Sequence, residues 1–336
     1  MTKVAVLGSG SWGTAFANVV ADAGQAEVVL WARRAEVAEA IDREQSNPQY
    51  FPGVRLNPAL SATTDAAAAV DGADFVVIAV PSQTLRGNLT VWRPHIPRDA
   101  VIVSLMKGIE LGTSRRMSEV ITETLDLPAA QVAVVSGPNL AREIAERQPA
   151  TAVIAAAHEA TAVRLQEICR APYFRPYTNT DMIGVELGGA VKNVIALAVG
   201  VAVGMGFGDN AKASLITRGL AETVRLAVSL GADEHTLAGL AGMGDLVATC
   251  SSPLSRNRTF GERLGAGRTV QEVIAETRQT AEGVKSSESV LALARAHGVD
   301  MPITEAVVGM MHGDLPPAEA LLRFMSRSAK PERYGV

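Results

Sequence analysis

Two cysteines, Cys169 and Cys250, are too few and too far apart for a disulfide framework in 336 residues, and no metal-ligand spacing surrounds either. Nothing in this pattern calls for an oxidising compartment. An excess of positive charge is missing as well. The net charge is −4 and no arginine-rich run or basic stripe occurs, which argues against a nucleic-acid partner. Long apolar runs are also scarce. The longest, 194–207, is interrupted by glycines and falls short of the roughly 20 residues that a bilayer demands. The apolar segment at 1–7 is short, glycines follow it at once, and it lacks the core and cleavage site of a secretory leader. It reads as a strand. These absences lead to the expectation of a soluble, cytoplasmic protein with no membrane span, no nucleic acid and no metal.

What is present is ample core material. A hydrophobic content of 48% over this length suits two globular domains. The first half alternates short, nearly continuous apolar runs (3–7, 28–31, 75–80, 101–105, 132–136 and 151–155) with helix-like segments such as 12–23, closed by Gly24, and 115–125. Runs of this kind are expected of strands buried on both faces of a parallel sheet. Strand–helix–strand alternation implies a doubly wound α/β unit with right-handed crossovers. Beyond about Asp181 the strand signals stop, and alanine- and leucine-rich helical stretches take over at 184–203, 212–230, 270–276, 286–296 and 303–311. The expected division is therefore a Rossmann-type domain over 1–180 and an all-helical domain over 181–336. No repeat or low-complexity linker separates them, so close packing is expected.

The most specific local signal is Gly8-Ser9-Gly10-Ser11-Trp12-Gly13. It follows a predicted strand and opens a predicted helix, the setting in which such a loop binds a dinucleotide. Gly8 would permit the tight turn, Gly10 the approach of a pyrophosphate, and Gly13 close helix–strand packing. The helix N-terminus would add free N–H groups and a positive dipole end. A glycine-rich turn that binds nothing is the alternative. At the end of the second strand an NAD-specific site places an acid, but here Arg33 and Arg34 follow Ala32 and no acid comes before Glu36. Two guanidiniums favour a 2′-phosphate, hence NADP(H), unless both are solvated loop charges.

Four further segments carry polar residues where burial is expected. Lys107 and the Ser136-Gly137-Pro138-Asn139 run close predicted strands, at the sheet edge where open α/β sheets bind ligands. Lys192 and Asn193 interrupt an otherwise apolar helix. A buried lysine loses basicity and becomes a useful general acid, whereas one that snorkels to solvent does not. Asp245 is the single charge within Gly239–Leu246, either a partner for a buried lysine or a helix N-cap. Ser255-Arg256-Asn257-Arg258 offers successive donors for an oxyanion, or forms a solvated loop.

Taken in order, Gly8–Gly13, Met106-Lys107-Gly108-Ile109-Glu110, Ser136-Gly137-Pro138, Val191-Lys192-Asn193-Val194, Gly242-Met243-Gly244-Asp245-Leu246 and Ser255–Arg258 resemble bacterial-type NAD(P)-dependent glycerol-3-phosphate dehydrogenase over nearly the whole chain. The resemblance implies a Rossmann domain, a helical domain like the C-terminal one of 6-phosphogluconate dehydrogenase, and a homodimer. It implies reversible reduction of dihydroxyacetone phosphate to sn-glycerol 3-phosphate with NADP(H) or NAD(H), supplying glycerophospholipid biosynthesis. Lys192 would then be the catalytic proton donor or acceptor, and Lys107 would touch substrate and cofactor. Gly137, Asn139, Asp245, Ser255, Arg256 and Asn257 would line the substrate site. Ser11, Trp12, Arg33, Arg34, Ala141, Arg256, Thr280 and Glu282 would contact the cofactor. Two positions depart from the family pattern: Asn139 stands where Ser or Thr is common, and Thr280 where an aliphatic residue is usual. A β-hydroxy-acid dehydrogenase could share the architecture and the lysine. A dinucleotide-sensing regulator would bind cofactor without turnover.

Overall fold

The computed structural model describes residues 1–276 and 282–325. Eight strands form one sheet in the order β3-β2-β1-β4-β5-β6-β7-β8. They are β1 (Thr2–Leu7), β2 (Ala26–Trp31), β3 (Leu60–Thr63), β4 (Phe75–Ile78), β5 (Val101–Ser104), β6 (Val132–Ser136), β7 (Ala150–Ala156) and β8 (Phe174–Asn179). Helices α1 (Ser11–Ala23), α2 (Ala35–Glu44), α3 (Ala66–Val70), α4 (Leu85–Trp92), α5 (Met117–Leu125), α6 (Ala141–Ala145) and α7 (Glu159–Cys169) occupy the connections. Strand β4 is buried at all four positions and β6 at all five, as continuous apolar runs require when both faces are covered. The chain leaves β1 toward β2 on one side, and β4 lies against its other side. The sheet therefore reverses winding at the C-terminal end of β1, where the glycine loop emerges. Open α/β sheets bind their ligands at such a reversal.

Two expectations need correction. Strands β3 and β8 have no counterpart in the apolar runs read from the sequence, because each is only partly buried. The first reads Leu-Ser-Ala-Thr, and the second alternates buried and exposed residues before ending half-buried. Edge positions leave one face or one side to solvent, so the apolar signal halves. The sheet is also not wholly parallel, since β7 runs antiparallel to β6, pairing Ala133 with Ala156 and Ser136 with Val153.

Beyond β8 the described residues form helices alone. Helix α8 (Met182–Gly204) is the axis of this half, packed against by α9 (Asp209–Ser229), α10 (Glu234–Ala238), α11 (Asp245–Ser251), α12 (Arg256–Gly265), α14 (Glu282–Ala296) and α15 (Pro302–His312), while α13 (Val270–Glu276) packs on α12 and α16 (Pro317–Met325) on α15. Asp181 caps α8 by accepting from the Gly184 N–H at 2.8 Å. The helix is longer than the apolar run 194–207 suggested, and long and apolar enough to cross a bilayer. Yet 89% of its most apolar window is buried inside the protein, so it is an all-round apolar core helix. Helix α12 crosses it at backbone contact. A Cβ on Gly200 would sit 2.1 Å from the Arg258 carbonyl oxygen, and one on Gly261 2.1 Å from that of Leu197. This glycine-to-backbone crossing brings the start of α12 up to the middle of α8.

Candidate active site

The glycine loop joins β1 to α1 with the geometry expected of it. Gly8 has φ +130°, and a Cβ there would lie 2.4 Å from the Ala79 carbonyl oxygen. A Cβ on Gly13 would meet the Gly8 carbonyl oxygen at 2.0 Å, whereas one on Gly10 would enter open space. Gly10 is the N-cap of α1 and provides no side-chain cap, so the first N–H groups of the helix stay available. The Trp12 indole N–H is buried without a partner, as are both amide atoms of Asn139. Arg33 and Arg34 are exposed at the end of β2, and Arg34 lies 3.6 Å from Glu36. Ala141 opens α6 and packs against the core on this side of the sheet. A bare helix N-terminus facing open space, unpaired donors and two exposed guanidiniums, one of them beside Glu36, fit a dinucleotide.

The chemistry-bearing side chains gather where three elements meet. Lys107 follows β5, Lys192 lies mid-way along α8, and Asp245 is the first residue of α11. A single π-helical turn (Leu240–Gly244) sets the direction of Asp245. It packs on α8 because Gly188 leaves room for the Ala241 carbonyl, 2.4 Å from where a Cβ would stand. The Asp245 carboxylate, 1% exposed, bridges both ammoniums. Lys192 donates to Oδ1, and Lys107 donates to Oδ2 at 2.7 Å. Lys107 also donates to the Gly137 carbonyl oxygen at 2.9 Å, which ties it to the end of β6. Lys192 donates to Thr249 Oγ1 at 2.7 Å. The structure thus brings together Lys107, Gly137, Lys192 and Asp245. Burial, reinforced by the neighbouring Lys107 charge and opposed by Asp245, brings the Lys192 ammonium down to about 8.

Asn193, one residue on from Lys192, donates to the Lys107 carbonyl oxygen at 3.3 Å. Its own Oδ1 accepts from Asn257 Nδ2 at 2.9 Å, and Asn257 Oδ1 accepts from the Gly283 N–H at 3.0 Å. This chain ties α8, α12 and α14 beside the lysines and leaves Asn257 buried. Ser255 is the N-cap of α12, its Oγ accepting from the Arg258 N–H at 3.3 Å, and Arg256 next to it is exposed. Next to Gly283 in the chain, Glu282 accepts through Oε2 from Ser82 Oγ at 2.6 Å, which links the turn after β4 to the start of α14. Thr280 lies outside the described residues.

Sequence reasoning singled out Asn193 without giving it a role, and missed Thr249 and Ser82 as members of this constellation. Thr249 had a readable signal, because it stands four residues after Asp245 and so on the same helix face. Ser82 had none. Among the described residues no group of three or more His, Cys, Asp or Glu could hold a metal ion.

Two family models, described as the N-terminus and the C-terminus of NAD-dependent glycerol-3-phosphate dehydrogenase, match residues 3–162 and 181–322. The chain is 78% identical over its whole length to the whole of a protein of Thermobifida fusca named glycerol-3-phosphate dehydrogenase [NAD(P)+]. A protein of Streptomyces avermitilis with the same name is 67% identical over 98% of both chains. The crystal structure of glycerol-3-phosphate dehydrogenase from Coxiella burnetii superposes with a TM-score of 0.91 at 39% identity, over 97% of this chain and 99% of that one.

Proposed function

The chain belongs to the NAD-dependent glycerol-3-phosphate dehydrogenase family, and from that premise we propose that it reduces dihydroxyacetone phosphate reversibly to sn-glycerol 3-phosphate at the Lys107–Lys192–Asp245 cluster. The observation that carries this reading is the buried carboxylate shared between two lysines, one of them poised to lose its proton near neutral pH. When bound, NADPH or NADH supplies the hydride that reduces the carbonyl carbon. The protein's own side chains manage the oxygen.

An ammonium has three N–H donors. Asp245 and Thr249 occupy two of those on Lys192, which leaves one for a substrate oxygen. Lys192 transfers its proton to that oxygen as negative charge develops, and takes it back in the reverse direction. Its depressed basicity makes the transfer easy, and Asp245 holds the ammonium in place. Lys107 likewise spends two donors, on Asp245 and Gly137, and its third stabilises the developing oxyanion. Arg256 and the free N–H groups at the start of α12 grip the phosphate. Asn193 touches Asn257, so the residues next to Lys192 and Arg256 are in contact, and the two ends of a triose phosphate have neighbouring anchors. Asn257 acts here through Asn193 and Gly283, while Asn139 supplies an unpaired amide beside Gly137.

The glycine loop with Ser11 and Trp12, and Arg33, Arg34, Ala141 and Glu282, hold the dinucleotide, the two guanidiniums favouring its 2′-phosphate. Residues 1–180 and 181–336 act as cofactor and substrate domains. Homodimeric assembly, a cytoplasmic location and a role in supplying phospholipid precursors follow from the same resemblance. Replacing Lys192 by Ala lowers kcat by about 10²–10⁴-fold while NADPH binding, read by fluorescence titration, stays near normal. A variant with near-native kcat on dihydroxyacetone phosphate overturns the assignment, and faster turnover of small keto acids than of the triose phosphate points to a different substrate.

A further inference from the structure

Six residues before Lys192, α8 carries a second buried charge that the reaction does not use. Glu186 is 6% exposed and points away from the cleft into the start of α5. Its Oε1 accepts from the Ser118 N–H at 2.8 Å, and its Oε2 accepts from Ser118 Oγ at 2.6 Å and Arg116 Nη1 at 2.6 Å. Burying a carboxylate is costly, and here burial does push its pKa up, against the Arg116 charge and the Ser118 donors. Stability alone is poorly served by such a group, because a well-packed apolar residue of similar volume is often no worse. Its location suggests a use for it.

The segment between β5 and α5 is the one that presents Lys107. It folds back on itself, with an isolated bridge between Ile109 and Arg116 and a hydrogen bond from the Glu110 N–H to the Arg115 carbonyl at 2.9 Å. Ile109 is fully buried in the core of the helical half, in one cluster with Leu187, Ala190 and Val191 of α8. The bridge sets Arg116 against Ile109, two residues from Lys107. A connection of the sheet-bearing half is thus moored to α8 at both ends, by Ile109 through apolar packing and by Arg116 and Ser118 through Glu186. The same helix, about 9 Å further along at 1.5 Å per residue, carries Lys192.

We propose that Glu186 is a positioning residue: by clamping Arg116 and Ser118 it sets the register of the Lys107 connection against α8, and so the simultaneous seating of Lys107 and Lys192 on Asp245. This inference rests on the proposed role of Lys192. Loosening the clamp lets Lys107 leave Asp245, and Lys192 then has the carboxylate to itself. The charged groups facing Lys192 are Asp245 and Lys107, with the Cys250 thiol also close; those around Glu186 are Arg116 and, through Arg116, Glu119. Losing the Lys107 charge while keeping Asp245 moves the Lys192 ionisation upward.

The test is Glu186→Gln in the full chain, assayed well below its melting temperature with dihydroxyacetone phosphate and NADPH. The expected result is a fall in kcat of about 10–100-fold, the scale of a small misplacement transmitted to a reacting group. The KM for NADPH should stay within about twofold, and the alkaline limb of the kcat–pH profile should move up by about half a unit or more. A lowered melting temperature with native kcat and a native pH profile overturns the proposal, because a purely structural strut predicts that outcome. Should the glutamine variant fail to fold, Ser118→Ala removes one donor and leaves the ion pair. It should show the same direction of shift at smaller size, and a native profile there overturns the proposal equally. Lys192→Ala, run in parallel, separates the two claims. If it keeps near-native kcat, the proton-donor reading fails and this inference falls with it. If it is inactive while both clamp variants behave as wild type, only the inference fails.

Discussion

Asp245 and Glu222 are both buried carboxylates of the helical half, and the protein satisfies them in different ways. Asp245 faces two ammoniums, from Lys107 and Lys192, at the junction with the sheet. Glu222, on α9, faces backbone dipoles instead. It accepts from the N–H groups of Ile303 at 2.7 Å and Thr304 at 3.3 Å, both at the start of α15, and from Thr304 Oγ1 at 3.3 Å. Helix α15 has no side-chain cap of its own, so Glu222 supplies one from another helix. Burial, offset only in part by those donors and by the Arg225 charge, pushes Glu222 up to about 7. The contrast teaches that buried charge by itself does not mark a reaction site. Neutral donors on a carboxylate organise backbone. Ionisable donors with a spare proton organise chemistry.

The sharpest way to break this comparison is Asp245→Asn. The amide leaves two ammoniums facing each other without a carboxylate, and kcat should fall by about 10²–10⁴-fold in a protein whose circular dichroism is unchanged. A loss of less than about threefold would put Asp245 in the same class as Glu222. Exposed charges offer a third case and a smaller effect. With Arg33 and Arg34 both changed to Ala, the KM for NADPH should rise about tenfold or more while that for NADH changes about twofold. Equal changes for the two cofactors would remove the guanidiniums from 2′-phosphate recognition.

Glu222→Gln should have the least effect on turnover, with kcat within about twofold of wild type, and should act on stability instead. The folded-state carboxyl holds its proton more tightly than a free one at 4.5, so the stability linked to it is fully present below that value and is lost as pH rises through 7. Between those values the wild type should lose up to about 3 kcal/mol through this group. The glutamine variant should show a flatter dependence of melting temperature on pH from 5 to 8. An unchanged slope would assign the pH dependence to other groups.

Reading along the chain located the two buried strands that bracket the glycine loop, β1 and β4, because strands covered on both faces leave continuous apolar runs. It could not find β3 or β8, whose side chains are divided between core and solvent. Nor could it find the reversal at β7, since an apolar run carries no direction. Lys192 and Asp245 were each legible as a lone charge among apolar neighbours. Glu186 had the same appearance and went unremarked, because its purpose depends on Arg116 and Ser118, about seventy residues earlier. Thr249 was legible only through its spacing from Asp245, and Ser82 is a small polar residue whose meaning depends wholly on what lies opposite.

What the sequence determined by itself is local: where the chain turns at Gly8, roughly where helices such as α1, α8 and α15 begin and end, and which charges sit in apolar surroundings. Those properties arise from steric limits and side-chain solvation within a few residues, so they can be read without knowing the fold. The tertiary structure alone decided that Lys107, Lys192 and Asp245 meet. Their contacts span 138 and 53 residues of chain. Such pairings depend on which surfaces pack together, here the close glycine-to-backbone fit of α8 against its neighbours and the mooring of the β5–α5 connection onto it.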